Sequence, residues 1–443
     1  MTASGTDEDA VPARRPLGRR DLLVLLVAGA CLQAIAWAVL LALFSAGRMG
    51  YGLHQLADTL LYQEYAVAFS FGRWPYSGVP VEYPPLANLV FLLAPARASV
   101  ATYEAWFGAA MIAATTAAAV LTTAAAAIAW RSAARGLVAA SAYAVLTLCC
   151  GALALNRYDA VVALTVAAAL LFLALRRGAA AGVSLGLGFA LKLTPALLLP
   201  VVLVVQESRR RVLLTLVAFL LAAVVPFLPF VVHDPGTAGY PFSYHAHRPL
   251  QIESVPGTPW TGLALVGAAH PRVVHAYGSQ DYAGAGPDAV AKASPWLLTL
   301  AVAGVCLLVW RRRRALRTSP ALLPVAALGV LLVAICASKV LSPQFLIWTF
   351  PVVALCFAQT AWLPRLSAAA VTLAVVLTQV EFPARYWDLV ALQTAPLAIL
   401  LARNLALLTG TMLAVVAVAR LRPEAAGVPE AGHLQVTNGV SSR

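Results

Sequence analysis

The chain has 443 residues, 61% of them hydrophobic and 11% charged, with a mean hydropathy of +0.82. That balance excludes an ordinary soluble globular protein, and apolar runs of about 20 residues recur along it, the mark of a polytopic helical membrane protein. The net charge of +13 does not point to nucleic acid, because the arginines stand in short clusters beside the apolar runs, as the positive-inside rule requires.

Residues 1–20 are polar and read as a disordered cytoplasmic start. The apolar run that follows is too long for a signal-peptide core and lacks a small-residue cleavage site, so it reads as a first span over 22–44. Residues 45–84 break the apolar pattern with acids, arginines, aromatic rings and prolines, and a loop of that length between spans points to function. Further spans are expected over 103–130, 137–155, 158–175, 211–231, 294–310, 319–336, 343–360, 363–380 and 394–419. Residues 85–96 are too short to cross and read as a re-entrant piece. The run 179–205, interrupted by Gly182, Gly186, Gly188 and Lys192-Leu193-Thr194-Pro195, reads as a hairpin of two helices.

With the N-terminus inside, this division puts Arg14, Arg15, Arg19, Arg20, Arg131, Arg135, Arg176, Arg177, Arg209, Arg210, Arg211 and the 311–317 cluster on the cytoplasmic face. The other face collects the 45–84 loop, the long 232–293 loop and His54, His233, His245, His247, His270 and His275, so the chemistry is expected outside the cytoplasm. The domain is a single all-α bundle of about 10–13 spans over 21–420, followed by a disordered cytoplasmic tail, 421–443. The cysteines sit in apolar runs without a CxxC pair and read as buried hydrophobes, with no disulfide and no zinc site.

Several polar residues stand out. Asp58 lies in Leu56-Ala57-Asp58-Thr59-Leu60-Leu61-Tyr62, and in a helix it shares a face with Tyr62 and Tyr65. A carboxylate at the membrane boundary suits a general base, and an exposed acid or a helix N-cap is the plain alternative. Glu82 and Tyr83 precede Pro84-Pro85, which fixes the entry of the chain into a helix. Asn156-Arg157-Tyr158-Asp159 falls between two spans and reads either as a tight turn with a local Arg–Asp pair or as part of a site. Lys192 is a lysine inside an apolar run, which is costly and marks function by default, with a phosphate as a plausible partner. In the 232–293 loop His247, Arg248 and Glu253 suit an anionic or hydroxyl-rich ligand. His245 and His247 are spaced poorly for metal ligation and lack an obvious third ligand. Lys339 and Gln344, in Lys339-Val340-Leu341-Ser342-Pro343-Gln344, can read phosphate or sugar hydroxyls. No GxGxxG fingerprint or P-loop is present, so no nucleotide cofactor is expected.

Taken in order, Asp58…Tyr62, Gly72-Arg73-Trp74-Pro75-Tyr76…Glu82-Tyr83-Pro84-Pro85, Gly188…Lys192-Leu193-Thr194-Pro195, Arg248-Pro249-Leu250-Gln251-Ile252-Glu253-Ser254 and Lys339…Gln344 resemble the GT-C membrane glycosyltransferases. The closest likeness is to glycosyltransferase family 87, and within it to the actinobacterial polyprenyl-phosphate-mannose-dependent mannosyltransferases that extend phosphatidylinositol mannosides. The resemblance implies a GT-C-like bundle and inverting transfer from a polyprenyl-phosphate sugar, mannose-like, to a lipid or glycan acceptor at the outer face of the cell membrane. It makes Asp58 the catalytic acidic residue, the general base that takes the proton of the acceptor hydroxyl. Tyr62, Glu82, Tyr83, Arg157, Lys192, His247, Arg248, Glu253, Lys339 and Gln344 are then substrate-binding candidates, with Lys192, Arg248 and Lys339 placed to offset the charge of the leaving phosphate. Phe345 stands where the family's Ser-Pro-Gln-Tyr pattern has tyrosine. The acidic partner found beside this aspartate in metal-dependent relatives is absent, so no metal is expected. The alternative reading is a transporter or lipid-carrier flippase with a site near Lys192.

Overall fold

The structure, a computed structural model, describes residues 18–422. The disordered segments expected before residue 18 and after residue 422 lie outside the described residues, whereas Arg19 and Arg20 already belong to the first helix. Among the described residues, eight helices are long and apolar enough to cross a membrane: Arg19–Ser45, Val100–Trp130, Ala133–Cys150, Arg209–His233, Ala285–Arg311, Pro320–Ala337, Trp362–Glu381 and Thr394–Ala419. Four shorter apolar helices, Asp159–Ala174, Gly178–Leu191, Thr194–Val204 and Pro343–Phe357, pack among them. The chain is a multi-pass membrane protein of all-α class.

Each interruption of the apolar runs has a local cause. Lys192 adopts an extended backbone after the Gly178–Leu191 helix, and Pro195 then opens a 3₁₀ turn that leads back. The return is complete, because Gln206 packs directly on Gly178 and Glu207 pairs with Arg176 at 3.2 Å. Residues 178–206 therefore form a hairpin. Its outgoing helix lies so close to the Arg209–Val224 helix that a Cβ on Gly182 or Gly186 would come within 2.5 Å of the backbone oxygens of Thr215 and Phe219. Small residues four apart on a membrane helix permit this approach of backbones. The run 85–96 yields only the short helix Pro85–Phe91.

The 232–293 loop is more ordered and shorter than the sequence reading has it. The helix Tyr240–His247 is followed by a three-stranded antiparallel sheet in which Ser279–Ala283 is central, between Leu250–Gln251 and Arg272–Ala276. Tyr277 and Gly278, both at positive φ, turn the chain between the two longer strands as a two-residue hairpin requires. The next helix begins at Ala285, ahead of the expected span start at 294.

The connections gather at two ends of the bundle. At one end arginines bind loop carbonyls: Arg135 donates to Ala358 O at 2.8 Å, Arg317 to Val204 O at 2.8 Å and Arg312 to Leu421 O at 3.4 Å. At the other, Asn156 donates to Leu53 O, Arg157 to Leu56 O and Lys339 to Ala246 O. The residues singled out in the sequence lie at this second end.

Candidate active site

The site grows from the junction of the first loop with the turn before Asp159–Ala174. Asp58 occupies the N-cap position of the helix Thr59–Ser70, but its side chain makes no capping bond. It turns instead to Arg157, whose Nε lies 3.1 Å from Oδ2 as a charge contact rather than an aligned hydrogen bond, and to Tyr62, whose hydroxyl donates at 3.3 Å. Arg157 is itself clamped by donating to Leu56 O at 2.6 Å, so the arginine is a fixed post. Tyr62 is fully buried, stacked on Phe91 and edge-on to Tyr83 and Tyr158. It supports Asp58 from behind and is not a wall of the cleft, contrary to the substrate-binding role expected for it.

The expected local pair between Arg157 and Asp159 does not form. Arg157 faces Asp58, and Asp159 faces Lys192, with Nζ to Oδ1 at 2.7 Å. Trp348 Nε1 donates to the same Oδ1 at 2.5 Å, and the ammonium sits 4.9–5.0 Å from the rings of Tyr158, Phe345 and Trp348. A buried charge survives only when paired and enclosed in this way.

Two cavities meet at Lys192. One is a polar cleft of about 150 Å³ lined by Asp58, Glu82, Tyr83, Arg157, Lys192, Arg248, Glu253 and Gln344 of the expected residues. It also takes in His245, Gln251 and Ser279, which the sequence reading did not assign. The other cavity, of about 360 Å³, is walled by apolar side chains such as Leu193, Leu197, Leu298 and Ile335, with Lys339 among them. Lys192, His245 and Phe345 line both. His247 lines neither; it is exposed, with its ring 2.7 Å from Ser243 O. Within the helix Tyr240–His247 it is His245, one residue after Tyr244 and three before Arg248, that turns inward, and the signal was helical phase rather than residue type.

The polar groups are preset by their neighbours. Tyr65 donates to Glu82 at 2.5 Å, while burial, the larger effect, raises the Glu82 carboxyl above its ordinary value. Gln251 donates to Glu253 Oε2 at 2.9 Å and accepts from Leu341 N at 2.9 Å, which ties the sheet to the turn before Pro343. Burial pushes the Glu253 carboxyl up to about 7 against the opposing charge of Arg403, and its Oε1 has no hydrogen-bond partner among the described residues. Arg248 donates to Ser279 Oγ at 2.9 Å. Lys339 donates to Ala246 O at 2.8 Å, and burial, followed by the charge of Arg248, lowers its pKa. The arrangement places a carboxylate, several hydroxyl-reading groups and cations around a space bordered on one side by an apolar chamber.

The model of glycosyltransferase family 87 matches residues 82–343, more than half of the chain. The chain belongs to glycosyltransferase family 87. No curated protein matches the sequence. Among solved structures it is similar to the crystal structure of ArnT from Cupriavidus metallidurans bound to undecaprenyl phosphate. The match has a TM-score of 0.44 and 18% identity, and covers 90% of this chain and 77% of that one. As a glycosyltransferase it must hold a sugar donor and an acceptor together. Glu82, Tyr83, Arg157, Lys192, Arg248, Glu253 and Lys339 fall within the matched residues, and Asp58 and Gln344 flank them.

Proposed function

We propose that this glycosyltransferase takes its sugar from a polyprenyl phosphate and transfers it with inversion to a lipid or glycan acceptor, mannose being the sugar the family resemblance favours. One observation carries the reading: an apolar cavity adjoins the polar cleft at Lys192, which lines both. An amphipathic donor fits that division, with its first prenyl units among Leu193, Leu197, Leu298 and Ile335, its phosphate at Lys192 and its sugar in the cleft. Two fixed cations, Lys192 and Arg248, then stabilise the charge left on the phosphate, as preorganised groups in a site shielded from water do.

Asp58 is the general base in this reading. Arg157 and Tyr62 hold its carboxylate at the cleft, where it accepts the proton of the acceptor hydroxyl as that oxygen attacks the anomeric carbon. Glu82, Glu253 and Gln344 orient the sugar or the acceptor. The reaction calls for no nucleotide and no metal, in keeping with the family's lipid-phosphate chemistry. The arginines at the opposite end of the bundle support an extracytoplasmic site with both termini cytoplasmic.

The test is release of polyprenyl phosphate by the purified protein in nanodiscs supplied with polyprenyl-phosphate mannose and membrane lipid acceptors. Asp58→Asn keeps the shape of the residue and should retain the fold while losing at least about 100-fold in transfer, the scale of a general base. Full activity of that variant would remove Asp58 from the mechanism.

A further inference from the structure

We propose that His245 is a catalytic residue of this transfer, its imidazole N–H donating to the donor phosphate and stabilising the charge that collects there as the sugar leaves. The inference rests on the lipid-phosphate-sugar reading above. It begins from position. Of the three residues that line both cavities, Phe345 has no donor and Lys192, held by Asp159, is the cation already assigned to the phosphate, which leaves His245 without a role. The His245 ring lies edge-on to Tyr244, with centroids 5.5 Å apart; the Glu82 backbone oxygen is its hydrogen-bond partner, and no side chain among the described residues bonds its nitrogens. A phosphate joining a tail in the apolar chamber to a sugar in the cleft passes this ring.

The charges around the ring set its form. Arg248, the C-cap of its own helix, and Lys192 and Lys339 from the neighbouring segments all face it. Burial, and then Arg248 and Lys192, lower its pKa to about 4 against the opposing pull of the Glu82 backbone oxygen, so the ring is neutral at neutral pH and carries one N–H. The anionic phosphate, a stronger acceptor than a carbonyl, draws that N–H from Glu82 when the donor binds. During transfer the acceptor oxygen bonds to the anomeric carbon and gives its proton to Asp58. The bond from that carbon to the phosphate oxygen breaks, and its electron pair stays on the phosphate, which passes from a monoanionic diester to a monoester with one more negative charge. His245 gives up no proton; its hydrogen bond strengthens as the charge grows. An interaction that is stronger in the transition state than in the bound donor raises kcat and leaves KM little changed.

The experiment compares wild type, His245→Ala, His245→Asn and His247→Ala in nanodiscs, following polyprenyl phosphate released from polyprenyl-phosphate mannose. His245→Ala should lose roughly 100-fold in kcat, the scale of one oxyanion donor, with donor KM within about threefold. His245→Asn, whose amide can donate in the same place, should recover at least about tenfold of that loss. His247→Ala, altered at an exposed ring outside both cavities, should match wild type. Wild-type kcat in His245→Ala, or equal losses in the alanine and asparagine variants with raised donor KM, would overturn the assignment and leave His245 as a wall. A wild-type protein that releases no polyprenyl phosphate from any such donor would overturn the underlying reading, and this inference with it, before any variant is compared.

Discussion

Lys192 and Asp159 form the costliest pair in the site, 33 residues apart in sequence and almost wholly withdrawn from solvent. Removing one partner of a buried ion pair leaves the other uncompensated, at about 3–5 kcal/mol, whereas replacing both by apolar groups is often neutral. Asp159→Asn should therefore lower the melting temperature in detergent markedly, and adding Lys192→Met should restore much of it without restoring transfer. Equal stability of wild type and Asp159→Asn would mean that the ammonium is solvated by other means. Lys192 was conspicuous in the sequence because it interrupts an apolar run. Asp159 was not, because Arg157 stands two residues away and a local pair satisfies both charges on paper; only the fold, by committing Arg157 to Asp58, releases Asp159 for Lys192. His245 carries a second consequence. Its pKa of about 4 in the folded protein lies below the ordinary 6.5, so between those values the unfolded chain binds the proton and the folded one does not. Stability from this group is fully present above pH 6.5 and is lost as pH falls toward 4. The melting temperature of wild type should fall more steeply over that window than that of His245→Gln, and parallel curves would contradict the burial of a neutral ring.

At the scale of elements, the helices Gly178–Leu191 and Arg209–Val224 touch through backbone at Gly182 and Gly186. Neither lipid nor water drives such an approach; it depends on the absence of side chains along the seam. Gly186→Leu has no flexible neighbour to displace, since the nearest atom is the Phe219 carbonyl oxygen, and should cost at least the about 1–3 kcal/mol of an overpacked core. Thermal unfolding measures it, with Gly304→Leu, where nothing crowds a Cβ, as the control. Spans of this kind were legible because a run of apolar residues has few solutions in a bilayer, and the glycines and Pro195 marked where the hairpin breaks. The small sheet was not, because Leu250–Gln251 is only two residues long and Arg272–Ala276 alternates too weakly to stand out in a polar loop. The inward turn of His245 in place of His247 was hidden for a related reason. It depends on the phase of a helix whose start, at Tyr240, the composition of the loop does not reveal.

On the scale of the whole molecule, the bundle leaves most of a long polyprenyl chain outside itself. The apolar chamber of about 360 Å³ is bounded by the 3₁₀ turn after Lys192, the Ala285–Arg311 helix and the Pro320–Ala337 helix, and can enclose only the units nearest the phosphate. Beyond the chamber the tail meets the same hydrocarbon whether the donor is bound or dispersed in the bilayer, so further length changes the transfer free energy little. For a donor short enough to dissolve in water, each CH₂ group taken into the chamber leaves water and gains up to about 0.8 kcal/mol, roughly fourfold in affinity. Donor KM should therefore fall steeply through the first few prenyl units when short donors are measured by aqueous concentration, and level off for longer donors measured at constant mole fraction in nanodiscs. Ile335→Trp, which fills the chamber, should raise KM for long donors and bring the plateau to a shorter chain, while a water-soluble donor with the shortest tail is affected least. A KM that keeps falling to full chain length, or one indifferent to Ile335→Trp, would place the lipid on another face of the bundle and detach the chamber from the cleft that it adjoins.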